Sequence, residues 1–156
     1  MNKRKVRIIS CVILLWALLR ILPDGIYMPL FCDIPARLAS GYYGAALEES
    51  RTFTTHGVTI EVVRSCGATD FLVMVFAILA ARWWSIFAAY GLTILLNTAR
   101  LIILVPATGF IHTLFPERFY ALGHQMAGTA VFLTSLVIIW EGVQYVKRRN
   151  NRQYIC

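Results

Sequence analysis

Residues 85–106 read SIFAAYGLTILLNTARLIILVP. An apolar run of this length matches the roughly 17–25 residues that carry a helix across a bilayer. Its polar interruptions are Asn97, Thr98 and Arg100. An arginine inside a span costs about 2.5–3.5 kcal/mol on insertion scales, so it is expected to face a bundle interior or a water-filled cavity rather than lipid. Asn97 lies three residues earlier, on the same helical face. The stretch therefore predicts a transmembrane helix with a polar patch set into it.

The whole chain agrees with a membrane setting. Of its 156 residues, 58% are hydrophobic and 15% charged, and its mean hydropathy is +0.65. Soluble domains sit near 45–50% apolar and about 25% charged, and a chain this short cannot hide the excess in one core. These figures argue against a soluble globular domain, a disordered chain and a disulfide scaffold. The net charge is +7, but its placement is that of a membrane protein and not of a nucleic-acid binder. Lys3, Arg4, Lys5 and Arg7 precede one apolar run, and Lys147, Arg148, Arg149 and Arg152 follow another. Basic residues flanking spans mark the cytoplasmic side.

Four apolar runs follow from this reading: residues 6–22, 67–82, 85–106 and 123–146, with a basic tail at 147–156. The first resembles a signal peptide, but Leu22-Pro23-Asp24-Gly25 offers no small-residue cleavage site. It reads as an uncleaved anchor. The expected fold is an all-α integral membrane protein of about four transmembrane helices, with both termini in the cytoplasm and the whole chain one membrane domain. Arg82 can snorkel, and Trp83 and Trp84 suit an interface. Residues 23–65 form an outer segment with a short interfacial helix over 36–47. His56-Gly57, between two β-rich stretches, predicts a small hairpin. Residues 107–122, after Pro106, form an outer linker.

This topology brings three reactive residues to one depth on the outer face. Cys66 lies where the outer segment enters the second span, Arg100 in the outer third of the third span, and His124 at the start of the fourth. A cysteine becomes a nucleophile when nearby cations lower its pKa, and Arg100 and His124 are suited to supply that field. The alternatives are an inert buried Cys66 or a disulfide with Cys32 on the same side, and an Arg100 that merely snorkels or pairs with Asp70. His56 reads as a turn residue and His112 as a loop residue. No Cys/His spacing suits zinc, and no metal or cofactor is expected.

The order of these motifs resembles the exosortase/archaeosortase family of integral membrane cysteine transpeptidases. The matching residues are Cys66-Gly67, then Asn97-Thr98-Ala99-Arg100, then His124-Gln125-Met126-Ala127-Gly128, within residues 58–140. Family members often carry Cys-Ser-Gly where this chain has Cys66-Gly67-Ala68, and many are longer. The resemblance implies a multi-pass protein of a prokaryotic cytoplasmic membrane with its site on the outer side. Its partners would be exported proteins bearing a C-terminal sorting signal (a short motif, a membrane helix and a basic cluster), together with an unidentified acceptor and the surrounding lipid. Cys66, Arg100 and His124 would be catalytic, with Asn97, Gly67 and Gly128 in support. Two other readings remain. One is a non-catalytic subunit in which the polar residues serve helix packing. The other is a small transporter or channel component with Arg100 lining a pathway.

Overall fold

A computed structural model describes residues 3–48, 51–79, 83–114 and 120–153, with side chains except at positions 4, 65, 109–125, 127, 147 and 150–153. The first apolar run forms α1 (Lys3–Ile21). Leu22 and Pro23 end it, because the residue before a proline is pushed out of the helical region. The chain then re-enters a helical path through α2 (Asp24–Met28), a π-helical stretch (Pro29–Asp33) and α3 (Ile34–Tyr42). This path is bent by 108° from α1. The helix expected over 36–47 therefore starts earlier and stops at Tyr42. Pro29 and Pro35 stand in the first turn of the π-helical stretch and of α3.

The predicted hairpin is present as β1 (Thr52–Thr55) and β2 (Val58–Glu61), antiparallel with Phe53 opposite Ile60. His56 and Gly57 both have positive φ, 49° and 74°, as a tight type I′ turn requires. Phe53 anchors the hairpin. It is buried with Tyr27, Phe31, Cys32, Ala36, Ala39, Val62, Leu72 and Leu101 in a core that joins the outer segment to the long helices.

A single 3₁₀ turn (Arg64–Gly67) leads into α4 (Thr69–Ile78), and α5 (Ser85–Leu114) and α6 (Tyr120–Gln153) complete the chain. A second core of Phe71, Val75, Phe76 and Ala89 packs α4 and α5 against α1 and α6. Two of the described helices are long and apolar enough to cross a membrane, over Ser85–Thr108 and Gly128–Val146, and α1 with the bent path after it makes up to a third. Their outward faces carry apolar side chains, among them Ile13 and Leu14 on α1, Phe87 and Leu95 on α5, and Val137 and Ile138 on α6.

Two expected boundaries shift. The run at 67–82 yields a helix of only 10 residues, about 15 Å long, half of a hydrocarbon core of about 30 Å. Its apolar start is spent on the 3₁₀ turn, and Arg82 lies outside the described residues. At the other boundary, Pro106 does not end α5, which continues to Leu114. The expected linker at 107–122 is thus helical at both ends, with 115–119 outside the described residues. A proline within a helix leaves the carbonyl four residues earlier without its donor. That carbonyl belongs to Ile102, and the Tyr43 hydroxyl donates to it at 2.5 Å. The outer segment thus supplies the hydrogen bond that α5 lacks.

Tyr43→Phe should therefore destabilise the protein by about 1–2 kcal/mol, the cost of a buried unpaired carbonyl, read as a lower unfolding midpoint in detergent. In a Pro106→Ala background, where residue 106 can donate, the same change should cost much less. An equal loss in both backgrounds would contradict the assignment.

Candidate functional site

Cys66 sits in the 3₁₀ turn, partly exposed, its N–H donating to the Val63 carbonyl at 2.8 Å. The turn is clamped from the α1–α2 junction. The Tyr27 hydroxyl donates to the Arg64 carbonyl at 3.2 Å and lies 3.4 Å from the Thr69 hydroxyl. Burial raises the Tyr27 phenol above its ordinary range, so it stays a donor at neutral pH. Its hydroxyl also occupies the space that a Cβ on Gly67 would need, which accounts for a glycine after Cys66. The Arg64 guanidinium stacks 4.3 Å over the Tyr27 ring, donates to the Leu22 carbonyl at 2.9 Å and pairs with Asp24. Tyr27 was not among the sequence candidates. A tyrosine on an apolar face gives no local sign that it will cap a glycine forty residues away.

Asn97 and Arg100 lie near the middle of the 30-residue α5. Asn97 is buried, and its Nδ2 donates to the Cys66 carbonyl at 2.7 Å. Because a carbonyl only accepts, this bond fixes the amide orientation and turns Oδ1 elsewhere, where among the described residues it has no hydrogen-bond partner. Arg100 crosses to α6. Its guanidinium occupies the space beside Gly128, where a Cβ would stand 2.7–2.8 Å from two of its nitrogens. It lies 4.8 Å over the Phe132 ring, and among the described residues its buried Nε has no hydrogen-bond partner. The Cys66 sulfur lies within electrostatic reach of this guanidinium. Asp70, considered as a partner for Arg100, is engaged elsewhere: Arg20 pairs with it at 3.1 Å and Trp16 Nε1 donates to it at 3.2 Å.

Arg20 and Asp70 thus form one polar pair between α1 and α4, and Asn97 and Arg100 a second polar group on α5, which Gly128 and Phe132, stacked on Phe71 at 5.0 Å, close on the α6 side. A cleft of about 820 Å³ opens beside the Arg20–Asp70 pair between α1, α4 and α6, lined among others by Arg20, Tyr27, Ala68, Thr69, Met74 and Phe132. The backbone of His124 lies early in α6, one turn before Gly128 on the same face, and its side chain is outside the described residues. His56 turns the hairpin, its ring edge-on to Tyr43 at 5.7 Å, and the His112 side chain is outside the described residues. The structure therefore brings together Cys66, Gly67, Asn97, Arg100 and Gly128. Cys32 and Cys66 are free thiols and not the disulfide considered above. Among the described residues no group of three or more His, Cys, Asp or Glu is gathered as metal ligands.

Comparisons with protein-family models, with curated proteins and with solved structures find no match for this chain.

Ala68, between the 3₁₀ turn and α4, has φ 52° and ψ 30°, a left-handed conformation that costs a non-glycine residue about 1–3 kcal/mol. This is the position at which the Cys-Ser-Gly pattern carries glycine. Ala68→Gly should relieve the strain and raise the unfolding midpoint, with a gain of about 1 kcal/mol after the entropy that glycine adds to the unfolded chain. A lower midpoint would show that residue 68 is held in this conformation without strain.

Proposed function

We propose that the chain is a membrane-embedded cysteine transpeptidase or peptidase of the exosortase/archaeosortase type. It cleaves a C-terminal sorting signal of exported proteins at the outer face of a prokaryotic cytoplasmic membrane and passes the product to an acceptor. The observation that carries this reading is the Arg100 guanidinium. Among the described residues its buried Nε has no hydrogen-bond partner, Asp70 is bonded to Arg20 instead, and it stands within electrostatic reach of the Cys66 sulfur. A cation kept for packing would be expected to carry an anion. One held against a glycine and a ring face is suited to an anion that appears only during reaction.

In the proposed mechanism the Cys66 thiolate attacks the substrate carbonyl carbon, forming a tetrahedral adduct whose oxyanion faces Arg100. Collapse breaks the C–N bond and leaves a thioester on Cys66, with the departing amine taking a proton from His124. His124 then removes a proton from the acceptor nucleophile as it attacks the thioester, and the Cys66 thiolate is restored. Asn97 holds the Cys66 backbone through the 2.7 Å bond to its carbonyl, fixing the direction of attack. Gly128 keeps open the space that the guanidinium needs. No metal or organic cofactor takes part. The terminal basic clusters support both ends lying in the cytoplasm, and the outer segment 24–61 would meet substrate or acceptor.

The competing reading, a non-catalytic subunit, draws on α6, which leaves Leu133, Val137, Ile138 and Trp140 exposed. Co-expression with a protein bearing a tripartite C-terminal signal separates the two. Cleavage is expected in the wild type and none in Cys66→Ala. Arg100→Ala should lower the rate by about 10²–10³-fold, as loss of an oxyanion donor does. Gly128→Ala should lower it while the protein still inserts. Cleavage that survives Cys66→Ala would remove the nucleophile and favour the subunit reading.

A further inference from the structure

Cys66 has a second thiol beside it. Cys32, in the π-helical stretch, is 0% exposed and belongs to the buried core against which Cys66 packs. Its Sγ lies 3.6 Å from the Val63 carbonyl, the same oxygen that accepts the Cys66 N–H at 2.8 Å. Two elements separated by the whole hairpin thus converge on one acceptor, each carrying a thiol. We propose that Cys66 and Cys32 form an ordered dithiol switch, in which Cys66 is the entry thiol for an external disulfide and Cys32 the resolving thiol.

The order follows from access. Cys66 is partly exposed and Cys32 is not, so of the two only Cys66 meets an external disulfide such as oxidised glutathione. The Cys66 thiolate attacks one sulfur of that disulfide and forms a mixed disulfide, and the other sulfur leaves as a thiolate. Cys32 then loses its proton to solvent and attacks the Cys66 sulfur, expelling the second external thiolate. The protein has lost two electrons and two protons, and the external disulfide has become two thiols.

The second step is slow at neutral pH. The Cys32 thiol is pushed up to about 11, first by burial and then by Cys66, with Asp33 adding to the rise and Arg51 and Arg64 opposing it. The Tyr27 phenol also faces it. Below that value the Cys32 thiolate fraction, and with it the resolving rate, grows about tenfold per pH unit. The site therefore passes through a state capped at Cys66 before it closes on itself. The thiol chemistry stands on the geometry of the pair alone. Its consequence, a reversible block of turnover, rests on Cys66 being the nucleophile proposed above.

The test uses the full-length protein in detergent, reduced, cleared of reductant and mixed with oxidised glutathione. Samples are quenched in acid with an alkylating agent and read by intact mass and peptide mapping. A glutathione adduct should form first on Cys66 and then give way to a Cys32–Cys66 bridge, about tenfold faster for each pH unit between 7 and 9. In Cys32→Ala the adduct should persist, and in Cys66→Ala Cys32 should remain unmodified. A lasting adduct in the wild type, a bridge to Cys11 instead, or direct modification of Cys32 in Cys66→Ala would each overturn the proposal. If the bridge forms and is reduced back while the reduced protein cleaves no substrate, the enzyme reading fails and the dithiol switch stands.

Discussion

The hydrogen bond from Asn97 Nδ2 to the Cys66 carbonyl, 2.7 Å long, joins the turn before α4 to the middle of α5. Such a bond has high stakes, because the buried Asn97 amide finds no water if it breaks. It fixes the depth of Cys66 against α5, and through the helical repeat it fixes Arg100 one turn further on. Arg100 in turn sets how closely α6 approaches, since its guanidinium fills the space beside Gly128 and lies over Phe132. Three helices and the thiol-bearing turn are held in register by these contacts. On the far side, Arg20 and Trp16 bind Asp70 and tie α1 to α4.

The outer segment is part of this arrangement and not an appendage. Its helical path packs against α5, with Tyr90 donating to the Leu30 carbonyl at 2.8 Å and Tyr43 to that of Ile102 at 2.5 Å. The second of these lets α5 run through Pro106. From the same segment Tyr27 closes over Gly67, and Arg64 ties the cysteine turn to the end of α1. Each tyrosine thus satisfies or covers a point at which the backbone of another element departs from regular geometry.

Features carried by local chemistry were legible in the sequence. His56-Gly57 announced the hairpin because only certain residues accept two successive positive φ values. The apolar runs announced the long helices, and Asn97 and Arg100 marked themselves as polar side chains in an apolar stretch. Gly128 was legible as a point of close approach, although not as the seat of Arg100. What stayed hidden depends on partners distant in sequence. Pro106 looked like a helix end because the hydroxyl that rescues Ile102 comes from Tyr43. The run before Arg82, already short for a span, yields a shorter helix still, because hydropathy does not register the left-handed Ala68, which delays the start of α4. Asp70 looked available to Arg100 until α1 brought Arg20 and Trp16 to it. Tyr27 carried no signal at all, since its role is defined by the absent side chain of Gly67.

The proposal that Cys66 attacks a substrate carbonyl has one most direct test. The protein is incubated with a sorting-signal substrate, quenched in acid during turnover and mapped by mass spectrometry. The account predicts a substrate fragment joined to Cys66 as a thioester, released by neutral hydroxylamine and absent from Cys66→Ala. Cleavage that proceeds with no adduct on Cys66, or with the fragment joined to another residue, would contradict it.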